Sequence, residues 1–128
     1  MNGSLDTNVI LRLLLADVPA QHSSARALVE SGRLHVSDAA VIETCFVLGR
    51  HYGLSRDEQC TVLGGFLAQP NIVCNLALLI DALELYSAHS NLSFEDCYLV
   101  SAAEHAGAVP LFTFDRKLAR HTSAQLVG

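Results

Sequence analysis

Short apolar segments alternate with longer helical patterns along the whole chain, and this alternation constrains the fold more than any other feature. Strands are predicted at residues 4–5, 34–37, 72–74, 109–113 and 125–127. Helices are predicted at residues 9–16, 19–32, 38–52, 55–69, 76–88 and 93–107, with a short last helix from Asp115. Such a pattern is typical of an α/β fold whose parallel strands are joined by helices. We therefore expect a three-layer α/β/α sandwich around a central, mainly parallel sheet of about five strands.

Length and composition favour one globular domain over residues 1–128. Of the 128 residues, 51% are hydrophobic and 16% are charged, which excludes a disordered chain. No apolar run approaches the ~18 residues that a membrane span needs, because residues such as Arg12, Glu43 and Asp81 interrupt them. The first four residues carry neither a basic segment nor a long apolar one, so a secretory signal is not expected.

The chain is acidic, with eight Lys and Arg against thirteen Asp and Glu and a net charge of −5. This balance argues against a broad basic surface that binds nucleic acid by charge alone. It does not exclude an enzyme that holds phosphates through metal ions. If four of the acids belong to one site, the remaining nine nearly balance the eight cations, and the acidity is local.

Four cysteines are spaced widely, at Cys45, Cys60, Cys74 and Cys97, and the closest two are fourteen positions apart. This spacing lacks the paired C-x-x-C pattern of structural zinc sites. The cysteines are therefore interpreted as small apolar residues in a reducing, cytoplasmic compartment.

Two aspartates directly follow predicted strands. Asp6 comes after the first strand and Asp115 after the strand at residues 109–113. Because ligands of parallel α/β sheets sit outside the carboxyl ends of the strands, both carboxylates are candidates for one crevice. The alternative is that each simply caps the helix that follows, since Asp is favoured at that position.

Glu43 lies in the middle of the helix predicted at residues 38–52. Its neighbours three and four positions away are all apolar, namely Ala39, Ala40, Phe46 and Val47. A glutamate in a stripe expected to face the core suggests a function, because Glu is almost never fully buried without a partner. The alternative is a boundary position where the carboxylate reaches water.

Asp96 interrupts an apolar helix face in the same way, with Leu99, Val100 and Ala103 on its side. Here the alternative is a capping box, in which Ser93 caps the helix and the Asp96 side chain bonds back to it. Considered together, Asp6, Glu43, Asp96 and Asp115 would repel one another unless a cation intervened. Oxygen ligands suit Mg²⁺ or Mn²⁺, which polarise phosphoryl oxygens and activate water.

Four segments resemble PIN-domain proteins, especially the VapC-type toxins of bacterial toxin–antitoxin pairs. In the family's order they are LDTNVILR (residues 5–12), VIE (41–43), FEDCYLV (94–100) and LFTFDRKL (111–118). Together these matches span nearly the whole chain. Each is moderately specific, and the presence of all four in one chain is a strong signal.

The resemblance implies a PIN-like fold and a metal-dependent endoribonuclease that hydrolyses RNA phosphodiester bonds. It implies that Mg²⁺ or Mn²⁺ is held by four catalytic carboxylates: Asp6, Glu43, Asp96 and Asp115. Asn8 and Thr113 match family positions that support these acids by hydrogen bonding. The resemblance also implies a homodimer, and a VapB-like antitoxin protein that occupies the active-site cleft. An apolar surplus suggests a dimer face on the helices at residues 55–69 and 76–88.

The chain departs from the family pattern in two places. Lys117 stands where many relatives carry a further acid, so a second metal ion would bind weakly or only with substrate. The first strand carries Asn2, Gly3 and Ser4, where relatives have apolar residues.

Three other functions remain open from the sequence. A non-cleaving PIN-like module would bind RNA or a protein partner. Metal-dependent RNA cleavage by the folded protein distinguishes the nuclease from such a binding module. A magnesium-dependent phosphatase of the haloacid dehalogenase type also has Asp after its first strand, but it needs a second Asp where this chain has Asn8. A two-component receiver domain needs a pair of acids near the start, where Asp6 stands alone.

Overall fold

The computed structural model describes residues 2–128, within which five strands and seven helices form. The strands are β1 (Asn2–Ser4), β2 (Arg33–His35), β3 (Ile72–Val73), β4 (Phe112–Thr113) and β5 (Gln125–Leu126). The helices are α1 (Thr7–Leu15), α2 (Pro19–Glu30), α3 (Asp38–Arg50), α4 (Arg56–Leu67), α5 (Leu76–Ala88), α6 (Phe94–His105) and α7 (Arg116–His121). No helix in this part of the chain is long and apolar enough to cross a membrane.

All five strands overlap their predicted ranges, although β1 begins two residues before the predicted 4–5, but they do not make one sheet of five. β1, β2 and β3 form a parallel sheet in that order, and β4 pairs with β5 as a separate parallel ribbon. The strand predicted at residues 109–113 shortens to two residues, since Pro110 has no N–H to donate to a ladder. The expected class, a helix-rich α/β fold with parallel strands, is confirmed, and the predicted sheet size is wrong.

The chain divides into two compact units, one up to residue 76 and the other over residues 77–128. The first unit contains the three-stranded sheet and helices α1 to α4. The second contains nearly all of α5, then α6, α7 and the β4–β5 ribbon. The prediction of a single domain over residues 1–128 is not tested by this division and stays a prediction.

Helix α3 buries a different face from the one around Glu43 that its sequence suggested, and of the apolar neighbours of Glu43 it buries Ala40 alone. The buried side chains are Ala40, Val41, Thr44, Cys45 and Leu48. Glu43 is exposed, and so are Ala39 and Phe46 on its side of the helix. The interpretation that Glu43 stands in a core-facing stripe is therefore wrong, and its carboxylate reaches water. Both faces of α3 are apolar in sequence, and packing against α1 and α4 selects the face around Val41 and Leu48.

The second unit packs around α5 and α6. Tyr86 and Phe94 meet edge to face, with ring centroids 5.6 Å apart, an arrangement that aromatic pairs prefer. Leu79 of α5 and Val100 of α6 are buried. At the surface, Nε2 of His105 and Oδ2 of Asp81 lie 2.6 Å apart and join the same two helices.

None of the four cysteines forms a disulfide bond. Cys45 and Cys97 are buried in the core, as expected of small apolar side chains. Partial burial raises the pKa of the Cys60 and Cys74 thiols, and neighbouring acids add to the effect. Since the thiolate is the reactive form, these two side chains are poor nucleophiles at neutral pH.

A buried glutamine side chain occupies the space beside Gly49 on α3. Gln59 of α4 is 4% exposed, and its Nε2 donates to the Cys45 carbonyl oxygen at 2.7 Å. A Cβ atom built on Gly49 would stand 2.5 Å from that nitrogen. The missing side chain at residue 49 therefore lets α3 and α4 share a buried hydrogen bond.

Gly49→Ala is expected to destabilise the protein by about 1 kcal/mol, although alanine suits a helix better than glycine by about that amount. The new methyl group displaces the Gln59 amide, and a buried polar group left unpaired costs about 1–3 kcal/mol. Gly65→Ala on α4 is the matched control, because nothing lies within 4 Å of a Cβ atom there. Urea unfolding should show the control as stable as wild type or more so, and a stabilised Gly49→Ala protein would contradict the prediction.

Candidate functional site

Asp6 lies at the carboxyl end of β1, as its position in the sequence predicts. Leu5, just before it, is 4% exposed, and its N–H donates to the His35 carbonyl oxygen at 2.9 Å, so the ladder runs on beyond β1. Asp6 then caps α1, with Oδ1 accepting the Val9 N–H at 2.9 Å. The capping interpretation is therefore confirmed. This carboxylate is exposed, and its Oδ2 makes no hydrogen bond within residues 2–128.

Glu43 is held beside the start of α1 by a threonine. The Thr7 hydroxyl donates to Oε2 of Glu43 at 3.1 Å, a contact between residues 36 positions apart. This bond joins the candidate acid of α3 to the residue that directly follows Asp6 in the chain. It fixes Oε2 of Glu43, whereas Oε1 makes no hydrogen bond within residues 2–128.

A pocket of about 500 Å³ opens beside Asp6 between α1 and α2. Its polar lining residues are Asp6, Asn8, Arg12, Gln21 and Ser24. The volume lies within the range of small-ligand sites, about 300–1,000 Å³. The exposed Asn8 side chain lines this pocket, while the Thr7 hydroxyl is the group that contacts an acid.

Arg12 brings a fixed positive charge to the same pocket. Its Nη2 donates to the Tyr52 hydroxyl at 3.1 Å, and its Nη1 lies 2.9 Å from Oδ1 of Asp17. The hydrogen bond with Tyr52 and the charge of Asp17 raise the pKa of Arg12 above its ordinary value. The guanidinium is therefore cationic at every working pH and remains oriented by two partners.

Asp115 in the second unit closely parallels Asp6. It caps α7, with Oδ1 accepting the N–H groups of Lys117 at 2.9 Å and Leu118 at 3.2 Å. The Thr113 hydroxyl accepts the Asp115 N–H at 3.0 Å, so it fixes the backbone of the turn rather than the carboxylate itself. As at Asp6, the capping interpretation is confirmed, and the second oxygen of Asp115 makes no hydrogen bond within residues 2–128.

Asp96 differs because its carboxylate takes no part in capping. Ser93 caps α6, and its Oγ accepts the Asp96 N–H at 3.1 Å. At α4 the equivalent Glu58 also bonds back to the Ser55 N–H at 2.8 Å, which completes a capping box. Asp96 makes no such return bond, because its side chain is one methylene shorter than the Glu or Gln of that motif. The Asp96 carboxylate is half-buried on the first turn of α6 and accepts no hydrogen bond within residues 2–128.

Each unit carries two of the four expected acids: Asp6 and Glu43 in the first, Asp96 and Asp115 in the second. In neither unit do three His, Cys, Asp or Glu side chains among residues 2–128 stand close enough to hold a metal ion. The donor set nevertheless has the right chemistry, since carboxylate oxygens are the ligands of hard divalent cations. Helix N-termini favour the negative charges of Asp6, Asp96 and Asp115 in the absence of a cation.

Sequence reasoning missed two parts of the first unit. Thr7 stands beside Asp6, but only the packing of α1 against α3 shows that its hydroxyl meets Glu43. Tyr52 and Asp17 hold Arg12 from positions 40 and five residues away. The position of Thr7 directly after the candidate acid Asp6 could have marked it as a functional residue. No local sequence pattern indicated that Tyr52 contacts Arg12.

The chain is an α/β protein with short parallel strands. Capping aspartates follow two of these strands, and a further acid that does not cap lies on a helix. Acids at strand ends lie where ligands of such folds bind. The family model of the PIN domain matches residues 4–123, so the chain belongs to the PIN domain family. The PIN domain is a nuclease-type fold, and its members are typically metal-dependent nucleases that use divalent ions. No curated protein matches the chain.

Proposed function

We propose that this protein is a Mg²⁺- or Mn²⁺-dependent endoribonuclease that hydrolyses RNA phosphodiester bonds. The observation that carries the proposal is the family match over residues 4–123, which includes all four candidate acids. The local geometry supports it. The Asp96 carboxylate does not cap its helix, and Asp6 and Asp115 each use only Oδ1 for capping, so oxygens remain to bind a metal ion.

The candidate acids take different roles in this proposal. Asp6, Asp96 and Asp115 would each serve as a metal ligand, directly or through water, and Glu43 would bind metal or orient the attacking water. A bound divalent ion supplies Lewis-acid stabilisation of the phosphate and lowers the pKa of bound water. The Thr7 hydroxyl positions Glu43 by donating a hydrogen bond to Oε2. This bond would hold Oε1 in one orientation for binding the metal ion or the attacking water.

Further proposals concern the biological setting. We infer that the protein is the toxin of a toxin–antitoxin pair, that it acts as a homodimer in the cytoplasm, and that a VapB-like antitoxin inhibits it. The resemblance of the four acidic segments to VapC-type toxins supports this inference. Four cysteine side chains without a disulfide bond agree with a reducing compartment.

Cleavage of total bacterial RNA by the purified protein, with the fragment ends mapped, tests the function. Discrete cleavage is expected with Mn²⁺ or Mg²⁺ and none with a chelator. A folded protein that binds Mn²⁺ by calorimetry and cleaves no RNA would overturn the proposal in favour of a non-cleaving binding module. Hydrolysis of a phosphomonoester without RNA cleavage would instead favour the phosphatase.

A further inference from the structure

Two large aromatic side chains close to Asp115 in the chain are mostly exposed to solvent. Phe112 on β4 is 63% exposed and Phe114, just beyond β4, is 81% exposed. They are separated by one residue at the end of a strand, where alternate side chains point to the same side. An exposed pair of phenylalanines is unfavourable in water unless something covers it, so it indicates a binding surface.

The ribbon partner of β4 widens this apolar surface. Phe112 is in register with Gln125 on β5, and the Val127 N–H continues the ladder to the Thr113 carbonyl oxygen at 2.8 Å. Val127 is 42% exposed. Because paired residues of a ribbon share a face, Val127 extends the side that carries the phenylalanines.

Cations follow the aromatic pair directly. Arg116, Lys117 and Arg120 lie on α7 and are all exposed, so three of the eight Lys and Arg residues fall within five positions of an acidic chain. None of the three forms an ion pair within residues 2–128, whereas Arg12 pairs with Asp17 and Arg26 with Glu30. Phe112, Phe114 and these three cations are called the aromatic–basic segment below.

We propose that the aromatic–basic segment binds single-stranded RNA, with bases stacked on Phe112 and Phe114 and phosphates held by the cations. Surfaces that bind single strands combine stacking platforms with positive charge in this way. Bases in a duplex are already stacked on one another, so the segment selects unpaired regions. The inference deepens the proposed nuclease function and rests on it, since Asp115 lies between the aromatic pair and the cations.

Charge complementarity favours RNA over a second copy of the chain. In a two-fold symmetric contact the same patch meets itself. Arg116, Lys117 and Arg120 would then approach the identical cations of the other copy and repel them. RNA phosphates neutralise these charges instead, and the RNA bases cover the phenylalanine rings.

Binding of a fluorescent single-stranded oligoribonucleotide, followed by anisotropy with a chelator present, tests the proposal independently of cleavage. The wild-type protein is expected to bind the single strand about tenfold more tightly than a hairpin duplex of equal length. Phe114→Ala should raise the Kd about tenfold and the Phe112→Ala/Phe114→Ala double variant about 100-fold. Phe114→Tyr, which keeps a stacking ring, should stay within about twofold of wild type.

Two controls separate stacking from charge. Phe46→Ala removes a phenylalanine of the same 63% exposure from α3 and should leave the Kd within about twofold of wild type, because exposed residues outside the binding surface contribute little. Log of the association constant falls with log of the salt concentration. Neutralising Arg116, Lys117 and Arg120 together should make this slope less negative by about two, as expected when contacts to three phosphates of a single strand are lost. Arg50→Ala is the charge control, and its slope should match wild type.

The possible failures are distinguishable. Unchanged RNA affinity in the Phe112→Ala/Phe114→Ala protein would overturn the inference, even if the wild type cleaves RNA. If that variant also changed from dimer to monomer by light scattering, the surface would be an interface between copies. Stacking-dependent binding by a wild-type protein that cleaves nothing with any metal would overturn the proposed nuclease function and leave this inference standing.

Discussion

Asp96→Asn is expected to lower metal-dependent RNA cleavage about 10³-fold, a loss typical of removing one essential electrostatic group from an active site. The Asp96 carboxylate makes no hydrogen bond within α6, so its charge is available to a cation rather than to the helix. Asparagine keeps the shape of the side chain and the backbone bond to Ser93. Cleavage should therefore fall while the free energy of unfolding changes by less than about 0.5 kcal/mol.

Glu95→Gln is the matched control for this prediction. Glu95 is the adjacent acid on the same first turn of α6, and it is exposed. The control removes the same unit of charge from the same helix terminus, so both variants lose the same favourable interaction with the helix dipole. Cleavage by Glu95→Gln should match wild type. Full activity of Asp96→Asn, or an equal loss in both variants, would remove Asp96 from the site.

The helix boundaries were the most predictable part of the fold, because local residues set them. Gly53 and Gly107 end two predicted helices, and both have positive φ, at 68° and 67°, which glycine adopts without strain. Ser55 and Glu58 form the capping box that their spacing predicts. The hydrogen bonds of that box lower the pKa of Glu58. Each of these features is settled within a few residues of chain.

The sheet arrangement was less predictable, because pairing joins residues far apart in sequence. All five strands overlap their predicted ranges, yet β4 and β5 pair with each other and not with β1, β2 or β3. Strands of two or three residues carry little pattern that could fix a partner. A five-stranded sheet was therefore an extrapolation from the order of the elements alone.

Asp6 and Asp115 were predictable as residues that follow strands and cap helices, since both roles depend on local sequence. The contact between Thr7 and Glu43 was not, because it requires α1 to lie against α3. Asp96 shows the limit of motif reasoning. Its spacing from Ser93 matches a capping box, and only the structure shows that the short side chain makes no return bond.

Leu48→Ala is expected to lower the free energy of unfolding by about 3 kcal/mol, within the range of about 2–5 kcal/mol for buried leucines. Leu48 is 0% exposed on the buried face of α3, beside Val41 and Cys45. Truncation removes apolar contacts and leaves a cavity that the close-packed neighbours fill only partly. Urea unfolding with an unchanged m-value would show that the effect is on native stability.

Phe46→Ala on the same helix gives the contrast that identifies the buried face. Phe46 shares the stripe of Glu43, and the apolar pattern alone would place it in the core, yet it is 63% exposed. Its truncation should therefore cost less than about 1 kcal/mol, despite removing more atoms than Leu48→Ala. If Phe46→Ala proved the more damaging of the two, α3 would be turned the other way, with Glu43 directed into the core. The Thr7–Glu43 contact would then be lost, and with it the proposed positioning of the glutamate.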